Sequence, residues 1–424
     1  MNKQRVVITG MGVVSPIGNG IKAFEKALFS GKSGIKAMPE LEEYGFRTLL
    51  GAVPEKDEHL LAIQAKYRTQ NGSDMLNYAL AAALDAWENA GFTVPDDFNG
   101  PADPDTGAII GTGMGAVDSI GGYVVPQSNP KGKRRLRSTV VEQNMPNAPA
   151  AHVSQALGLG NRISAVSSAC ATGTEAIITA AERIADGRAV RMLAGGSEAY
   201  SPWSWIGFDV MRVLAQNKND DPKHASCPLS SDASGFVPGA GAGIMLLESL
   251  ESAKKRGAKI LAEYKGGFIN SGGMRAGGSM TAPSAPSVIA CIKSALHEAG
   301  ISPDEVDYIN GHLSSTMADV LEIENLSKAL NRYGPDFPFI NSLKAQTGHC
   351  IGAGGGIESI ASVLQIKNAM VTKAVNSRPL HPHITEIVDE SRVPLKNLKH
   401  TVNTVLKTSF GFGDVNACML LKRL

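Results

Sequence analysis

The amino-acid sequence predicts a layered α/β protein with buried strands. Its 424 residues include 46 glycines, and many of these directly follow short apolar runs. Helix-patterned segments come after several of the glycine turns, as expected for buried strands that alternate with helices. The order strand, helix, strand starts again near Lys259. The glycine turns are Gly10 and Gly12 after 6–9, Gly111, Gly113 and Gly115 after 108–110, Gly195 and Gly196 after 192–194, Gly311 after 306–310, and Gly352 onward after 339–345.

The order of elements also predicts two similar halves. A strand followed by a helix of small residues is expected at 166–184 and again at 339–365. A charged amphipathic helix at 246–257 separates them, so we expect a duplicated α/β unit with halves at 1–250 and 251–424. Residues 121–151 have no clear period and are rich in Pro, Asn, Lys and Arg. This excursion is expected to cap a site or to build an interface between subunits.

The bulk composition excludes several classes of function. The chain has 41 Lys and Arg against 40 Asp and Glu, which gives no general reason to expect nucleic acid or membrane binding. Five scattered cysteines without metal-ligand spacing favour a reducing compartment over a disulfide framework. No apolar run is long enough to span a membrane, and the N-terminus goes straight into a strand, so a cytoplasmic protein is expected. Gly10-x-Gly12-x-x-Ser15 lacks the third glycine of a dinucleotide-binding turn.

Cys170 is the first candidate catalytic residue. It stands where a predicted strand over 162–169 gives way to a helix with apolar spacing over 175–184. A cysteine in the first turn of a helix faces free N–H groups and the positive end of the dipole, which favour the thiolate. Such a thiolate is a covalent nucleophile. The alternative is a small buried core residue, because free cysteine is often buried.

Three further segments place reactive groups at predicted strand ends. His312 follows a strand at 306–310, Lys344 and His349 follow the strand that begins at Phe339, and Ser409-Phe410-Gly411-Phe412-Gly413 follows a strand at 401–407. Each alone is a weak signal, since a lone histidine is more often structural and Phe-Gly-Phe-Gly is more often a turn with core aromatics. Together they put reactive groups at the carboxyl ends of strands, where α/β sheets build their sites.

Four motifs in order then make a specific resemblance: 6–18 (VVITGMGVVSPIG), 169–173 (ACATG), 344–349 (KAQTGH) and 410–413 (FGFG). The chain resembles, nearly end to end, the β-ketoacyl-acyl carrier protein synthases of the elongating Cys-His-His type. This resemblance implies the thiolase fold, with duplicated βαβαβαββ halves in a five-layer αβαβα arrangement. It implies a homodimer, with a heterodimer as the other possibility. It also implies that substrates arrive on the phosphopantetheine of an acyl carrier protein, with no cofactor or metal of the enzyme's own.

The resemblance further implies a role for each motif residue. Cys170 accepts the acyl chain, and malonyl-carrier then loses CO₂ so that the enolate attacks the acyl thioester. His312 and His349 would donate hydrogen bonds to the developing oxyanion, and Lys344 would order the site around His312. Phe412 would supply a backbone N–H beside that of Cys170. The remaining roles are a gate formed by Phe410 and Phe412, and entry to the acyl tunnel at Met114.

The chain departs from the family pattern in three places. His312-Leu313-Ser314-Ser315-Thr316 replaces the usual His-Gly-Thr-Ser-Thr, with Asp319 one position early; Leu313 would add bulk beside the site and resist a positive φ. Glu322 is a candidate acidic partner for Lys344. Residues 227–243 lack several charges that the family carries, and Asp414-Val415 stands where Gly-Thr is usual. These changes suggest a specialised substrate, such as a polyene or polyketide-type chain, instead of general fatty acid elongation.

A basic cluster lies inside the 121–151 excursion. It is expected either to dock the acidic carrier protein or to be an ordinary solvated loop. A rival function for the whole chain is a non-condensing chain-length-factor subunit, which the retained Cys170 argues against, and a remoter one is a malonyl decarboxylase. The candidate docking residues are Lys131, Lys133, Arg134, Arg135 and Arg137, with Lys66 and Arg68.

Overall fold

The computed structural model describes residues 3–97 and 99–424, and the side chain of Arg134 lies outside the described part. The strands are β1 Val6–Val14, β2 Lys36–Ala37, β3 Leu50–Gly51, β4 Thr106–Gly111, β5 Ile163–Ser164, β6 Arg191–Glu198, β7 Gly241–Ser249, β8 Ala262–Ser271, β9 Tyr308–Asn310, β10 Phe339–Asn341, β11 Met370–Val371, β12 Leu398–Lys399, β13 Thr404–Gly411 and β14 Val415–Lys422. The α-helices are α1 Ile21–Ser30, α2 Glu58–Tyr67, α3 Asp74–Asn89, α4 Val117–Ser119, α5 Ala148–Leu157, α6 Thr172–Ala185, α7 Pro202–Val210, α8 Leu250–Lys255, α9 Ala285–Ala299, α10 Ala318–Leu330, α11 Lys344–Thr347, α12 Ile351–Asn368 and α13 Pro382–Thr385.

Ten of the strands form one sheet in which the same topology occurs twice. In the first half the order is β5-β4-β6-β7-β1, and in the second half it is β10-β9-β13-β14-β8. Numbered along the chain within each half, both orders read 3-2-4-5-1. The first three strands in each order pair in parallel, and the two remaining pairings of each half are antiparallel. A short antiparallel pairing of β1 with β8, from Val6 opposite Tyr264 to Ile8 opposite Ala262, joins the halves. The boundary predicted after residue 250 falls at α8, between the two strand sets.

Helices cover both faces of each half-sheet and create five layers. Helices α3 and α5 pack outside the first half, and α9 and α10 pack outside the second. Helices α6 and α12 lie between the halves and contact strands of both. The central core cluster is built largely from these two helices and the inner faces of the strands. The predicted α/β class and the αβαβα layering are therefore confirmed.

Several predicted local elements are displaced in the structure. The strand expected over 162–169 is only Ile163–Ser164, because β5 is an edge strand and the N–H of Ser168 bonds to the Thr172 hydroxyl instead of a neighbouring strand. The strand expected at 401–407 is β13, which runs from Thr404 to Gly411 and includes Phe410. The helix expected at 246–257 is the shorter α8, because 246–249 continue β7. The 121–151 excursion consists of short 3-10 and π turns, and α5 begins within its last residues.

The two central helices approach each other closely at glycines. A Cβ on Gly355 of α12 would lie 2.4 Å from the backbone nitrogen of Thr174, and one on Gly173 of α6 would lie 2.7 Å from that of Gly356. Real side chains do not reach such distances, so only glycine allows this contact. The contact fixes the spacing between the starts of α6 and α12. Separately, none of the described helices is both long and apolar enough to cross a bilayer.

We predict that Gly355→Ala destabilises the protein while Gly354→Ala does not. The added methyl at 355 meets backbone, which cannot move aside, so we expect a loss of about 1–3 kcal/mol. At 354 the nearest atom to an added Cβ is Glu358 Oε1 at 3.6 Å, an ordinary contact. Alanine also forms helix better than glycine by up to about 1 kcal/mol. Urea unfolding of both variants measures the difference, and equal stabilities would contradict the contact.

Candidate active site

Cys170 lies in a 3-10 turn, Ala169–Ala171, directly before α6. Ala169 has a φ of 50°, so the turn is held in a strained conformation. Gly411 at the end of β13 packs against it, and a Cβ there would be 2.6 Å from Ser168 O and 3.2 Å from Cys170 N. The cysteine is thus presented at the base of a turn that leads into the helix, half-buried between the two halves of the molecule.

His349 and His312 come from the second half and stand beside the sulfur. His349 Nε2 is 3.1 Å from Cys170 Sγ, and His349 Nδ1 accepts the N–H of Ile351 at 3.3 Å. The second contact leaves the ring proton on Nε2, which therefore donates toward the sulfur. The rings of His312 and His349 are 5.4 Å apart, edge to face. Ligand atoms of Cys170, His312 and His349 lie within 4.8 Å of one another, so these residues are also where a thiophilic metal ion could be held.

Burial controls the protonation of this group. It raises the pKa of the Cys170 thiol to about 12, against the opposing effects of Lys344 and of the Phe412 backbone N–H, which bonds to the sulfur. Burial therefore opposes the thiolate that the helix start favours, and in the free site desolvation outweighs the favourable donors. Burial, together with the charge of Lys344, lowers the pKa of His349 to about 3 and moves the pKa of His312 well below its usual value. Both imidazoles are neutral at pH 7.

Lys344 is part of a buried three-charge cluster that the sequence analysis missed. Its Nζ is 2.6 Å from Glu358 Oε1 and also donates to the carbonyl oxygen of His312. Lys407 Nζ is 2.8 Å from Glu358 Oε2. Although burial acts to raise it, the two lysines hold the pKa of Glu358 below its ordinary value. Glu358 of α12, and not Glu322, is therefore the carboxylate paired with Lys344.

Glu322 and Asp319 instead hold the backbone of the loop that carries His312. Glu322 accepts the N–H groups of His312 and Leu313, both at 2.7 Å, and Asp319 accepts those of Ser314 at 2.8 Å and Ser315 at 3.1 Å. Leu313 takes a φ of 23°, so the strain expected from replacing glycine is present. The extra bulk expected beside the site is absent, because the buried Leu313 side chain packs in the core cluster formed with α9 and α10.

Glu198 is a further buried carboxylate that sequence reasoning passed over. It ends β6 and accepts the N–H groups of Gly113 at 2.8 Å, Met114 at 3.0 Å and Gly352 at 3.0 Å. Burial raises its pKa to about 7. It thereby ties the glycine turn after β4 to the start of α12, next to Cys170. An acidic residue closing an otherwise apolar strand was the available signal.

A cavity of about 240 Å³ opens onto the sulfur. Met114 is not among the lining residues; its side chain is exposed, and its predicted role in the acyl tunnel remains a prediction. The lining includes Cys170, both histidines, Phe410 and Phe412, the residues Thr281, Ser314 and Thr316, and apolar residues of α9 and α10.

The candidate docking residues lie away from this cavity, on the surface. All of those whose side chains are described are exposed, namely Lys131, Lys133, Arg135, Arg137, Lys66 and Arg68, and the side chain of Arg134 is outside the described part. Gln143 of the excursion donates to the carbonyl oxygen of Arg68 at 3.0 Å, so the two basic segments belong to neighbouring parts of the surface.

Comparisons with known proteins match this geometry. The N-terminal domain of beta-ketoacyl synthases matches residues 3–253 and the C-terminal domain matches residues 261–378. The chain is 38% identical to 3-oxoacyl-acyl-carrier-protein synthase I, chloroplastic, of Arabidopsis thaliana, over 98% of this chain and 86% of that protein. It is 34% identical to 3-oxoacyl-acyl-carrier-protein synthase 2 of Vibrio cholerae over the full length of both.

Solved structures are similar along the whole chain as well. A beta-ketoacyl synthase from Burkholderia phymatum has a TM-score of 0.88 at 29% identity, covering 99% of this chain and 100% of that one. A type II polyketide ketosynthase, solved with its acyl carrier protein and bound to the hexaketide, has a TM-score of 0.86 at 30% identity with complete coverage of both.

The chain belongs to the β-ketoacyl synthase family and has the thiolase fold of its structural neighbours. Its activity is that of a 3-oxoacyl-acyl carrier protein synthase, an acyltransferase that performs a condensation. The family and function inferred from the four motifs are confirmed, and the non-condensing chain-length-factor alternative is not favoured.

We predict that Glu358→Gln is strongly destabilising. The change leaves the ammonium groups of Lys344 and Lys407 buried without their shared carboxylate, and breaking a buried pair costs about 3–5 kcal/mol. Glu324→Gln is the control, because Glu324 pairs with Lys328 one turn away on an exposed surface. That pair should contribute less than about 0.5 kcal/mol. Chemical denaturation measures the free energy of unfolding of both variants. A loss in Glu358→Gln as small as that of the control would show that the shared carboxylate does not stabilise the protein to this extent.

We also predict that alkylation of Cys170 by iodoacetamide accelerates with pH up to at least pH 10. The thiolate is the reactive form, and the pKa of Cys170 raised to about 12 keeps its fraction growing about tenfold per pH unit. Peptide mass spectrometry measures the rate at Cys170, and Cys170→Ser gives the background from the four buried cysteines. A plateau below pH 8 would mean that the thiolate already dominates in the free site.

Proposed function

We propose that Cys170 is the acyl acceptor and that His312, His349 and Lys344, from the second half of the chain, serve the decarboxylation step. The 3.1 Å contact between Cys170 Sγ and His349 Nε2, at the base of the cavity, carries the proposal. In the first stage the sulfur attacks the thioester carbonyl of an acyl carrier protein; a new C–S bond forms and the carrier thiol leaves with the proton. In the second, malonyl-carrier loses CO₂, its enolate carbon attacks the Cys170 thioester, and the C–S bond breaks to give the 3-oxoacyl carrier; Cys170 leaves as the thiolate and takes up one proton from water to regenerate the thiol.

His312 and His349 act as neutral hydrogen-bond donors to the enolate oxygen. The Nε2 proton of His349 already points to the sulfur, because its Nδ1 is occupied by the Ile351 N–H. A donor held in place before the reaction stabilises developing charge without reorganising, and removing one such donor costs about 3–4 kcal/mol of barrier. Lys344 is a positioning residue, since it reaches the reacting atoms only through the His312 carbonyl oxygen that it binds.

The acyl-cysteine carbonyl meets a second donor pair, the backbone N–H groups of Cys170 and Phe412. The Phe412 N–H bonds to Cys170 Sγ in the free site, and Gly411 brings the end of β13 against the Cys170 turn. Donors aimed at the place where the tetrahedral oxyanion forms lower the barrier of both acyl transfers. Phe410 and Phe412 line the cavity beside these donors, which supports their role as a gate.

The proposed reaction uses no cofactor or metal ion of the enzyme, because breaking the malonyl carboxylate bond supplies the electron pair for the new C–C bond. The carrier protein delivers both substrates on its phosphopantetheine arm. Thr281, Ser314 and Thr316 are among the residues that line the cavity, and their hydroxyl groups are our candidate partners for the amides of that arm. A related ketosynthase has been solved with its acyl carrier protein, which supports this class of partner.

A specialised substrate, of polyene or polyketide type, remains our proposal for the pathway. The charge-depleted segment is bonded to the region that follows His312: the N–H of Cys227 bonds to the Ser315 hydroxyl and that of Leu229 to Asp319. The segment thereby supports the altered His312 loop without the family's charges. The relatives in solved structures include a polyketide ketosynthase.

The assembly and location belong to the same proposal. We expect a homodimer that uses the 121–151 excursion, with a heterodimer as the alternative. The excursion exposes apolar side chains of Val125 and Val141, which supports its use as an interface. We keep the cytoplasm as the compartment because the chain has an odd number of cysteines, all of them free.

Acyl loading tests the chemistry. The protein is incubated with carrier thioesters that bear saturated, polyunsaturated and aryl chains, and intact mass followed by peptide mapping locates the adduct. We expect an adduct on Cys170, none on the Cys170→Ala variant, and faster loading of polyunsaturated or aryl chains. An absence of any adduct on the wild-type protein would overturn the acceptor role. Saturated chains loading fastest throughout would overturn only the specialised substrate.

Carrier docking is tested by reversing charges in the excursion. Lys133→Glu combined with Arg135→Glu should raise the KM for the carrier several-fold and flatten its dependence on salt, since exposed charges act through a screened field. Lys254→Glu with Lys255→Glu on α8 is the matched control on another surface. If both pairs leave the KM and its salt dependence unchanged, the excursion is not the docking surface.

A further inference from the structure

Asp414 occupies an unusual position at the edge of the active site. The last pair of the β13–β14 hairpin is Gly411 with Val415, so residues 412–414 form its turn, which we call the gate turn. Asp414 is completely buried and has a φ of 59°. Glycine would adopt this backbone conformation without strain, so an aspartate here is conformationally unfavourable. A buried carboxylate in a strained turn calls for a compensating set of partners.

The backbone N–H groups that bond to its carboxylate come from one segment, residues 272–284, which we call the mouth loop. Asp414 Oδ2 accepts the N–H of Met274 at 3.0 Å, and Oδ1 accepts that of Ser284 at 2.8 Å. Oδ1 also accepts from the Ser287 hydroxyl at 3.3 Å, in the first turn of α9 just beyond the loop. These donors, with the positive end of the α9 dipole, compensate the charge. Among the described residues, the structure shows no ion pair to Asp414.

The mouth loop is shaped around this carboxylate. A Cβ on Gly272 would lie 2.1 Å from Asp414 Oδ2, and one on Gly278 would lie 2.5 Å from it. Two main-chain bonds reinforce the contact: the N–H of Gly272 donates to the Asp414 carbonyl at 3.0 Å, and that of Gly413 donates to the Met280 carbonyl at 2.8 Å. The gate turn and the mouth loop are therefore one connected unit.

This unit touches the reacting atoms at one end and the cavity entrance at the other. Within the gate turn, Phe412 directs its N–H to Cys170 Sγ and its side chain lines the cavity. Within the mouth loop, Thr281, Ala282 and Pro283 line the same cavity. Any movement that opens the loop pulls on the turn that holds the Phe412 donor.

We propose that Asp414 is a positioning residue that latches the mouth loop to the gate turn and so holds the Phe412 N–H over the Cys170 sulfur. This inference rests on the proposed function, in which that N–H stabilises the oxyanion at the acyl-cysteine. The latch couples closure of the entrance to completion of the donor pair. Acyl-cysteine is then exposed to water less often, and condensation competes better with hydrolysis of the intermediate.

Three variants test the latch. Asp414→Gly removes the carboxylate but suits the φ of 59°, so it is expected to fold. Asp414→Asn keeps the shape but turns one acceptor into a donor facing an N–H group. Asp304→Asn is the control, an exposed carboxyl near the start of β9, at the opposite end of that strand from His312.

We expect Asp414→Gly to keep a melting temperature close to that of the wild type. Backbone amide exchange at Met274 and Ser284 should accelerate at least tenfold. The kcat of condensation should fall about tenfold or more, since a misplaced catalytic donor is costly, with a smaller change in KM. Hydrolysis of the acyl-enzyme should rise relative to condensation. Asp414→Asn should show the same changes to a smaller degree, and Asp304→Asn none.

Two results distinguish failure of the latch from failure of the proposed function. If Asp414→Gly exchanges its mouth-loop amides and partitions its acyl-enzyme like the wild type, the latch is overturned, whatever the activity. If the wild-type protein forms no acyl adduct on Cys170, the proposed function fails while faster exchange in Asp414→Gly would still establish the contact between turn and loop. If Asp414→Gly loses only melting temperature and keeps kcat and the partition, Asp414 is a structural residue and the positioning role is overturned.

Discussion

The close approach of α6 and α12 is the constraint on which the site depends. A reactive residue stands two positions before the start of each helix, Cys170 before α6 and His349 before α12, and the two helices come from different halves of the molecule. Gly173 and Gly355 leave no room for a side chain where the helices meet. The resulting backbone contact brings the sulfur and the imidazole within hydrogen-bond distance, although they are 179 residues apart in sequence. The position of this pair is therefore set by the packing of the two central helices.

The buried charged groups around this pair are compensated in two ways. Backbone N–H groups bond to three carboxyl groups, and a fourth carboxylate is shared by two lysines. Glu198, Glu322 and Asp319 accept main-chain N–H groups, and each fixes a segment beside the sulfur or the His312 ring. Glu358 is different, because it neutralises the two lysines and leaves one of them free to bind the His312 carbonyl. The result is a site with neutral rings and fixed N–H donors, which suits an oxyanion that exists only during the reaction.

The candidate catalytic residues were accessible from sequence because they lie in short local motifs with glycine neighbours. The α/β class, the duplicated order of strands and helices, and the group Cys170, His312, Lys344 and His349 were all predicted. Element bounds were less accurate, because the length of an edge strand such as β5 depends on its pairing, and β5 pairs with β4 over only two residues. The partner of Lys344 was assigned to Glu322 by closeness along the chain, whereas folding brings Glu358 to it from the middle of an apolar helix. Lys407 and Glu198 were passed over for the same reason, since a single charge in an apolar run does not reveal its partner.

Residue type and short-range spacing were enough to identify the family, the class of reaction and the candidate nucleophile, because they specify which groups can react. The tertiary structure alone decided the electrostatic state of those groups. Helix-start logic favours a thiolate at Cys170, yet burial between the two halves raises the pKa of the thiol. Likewise the sequence shows Asp414 only as a changed residue in a turn, and the fold shows its carboxylate bonded to loop residues 130 and 140 positions away. Desolvation and long-range hydrogen bonds depend on what packs around a group, and no local pattern records that.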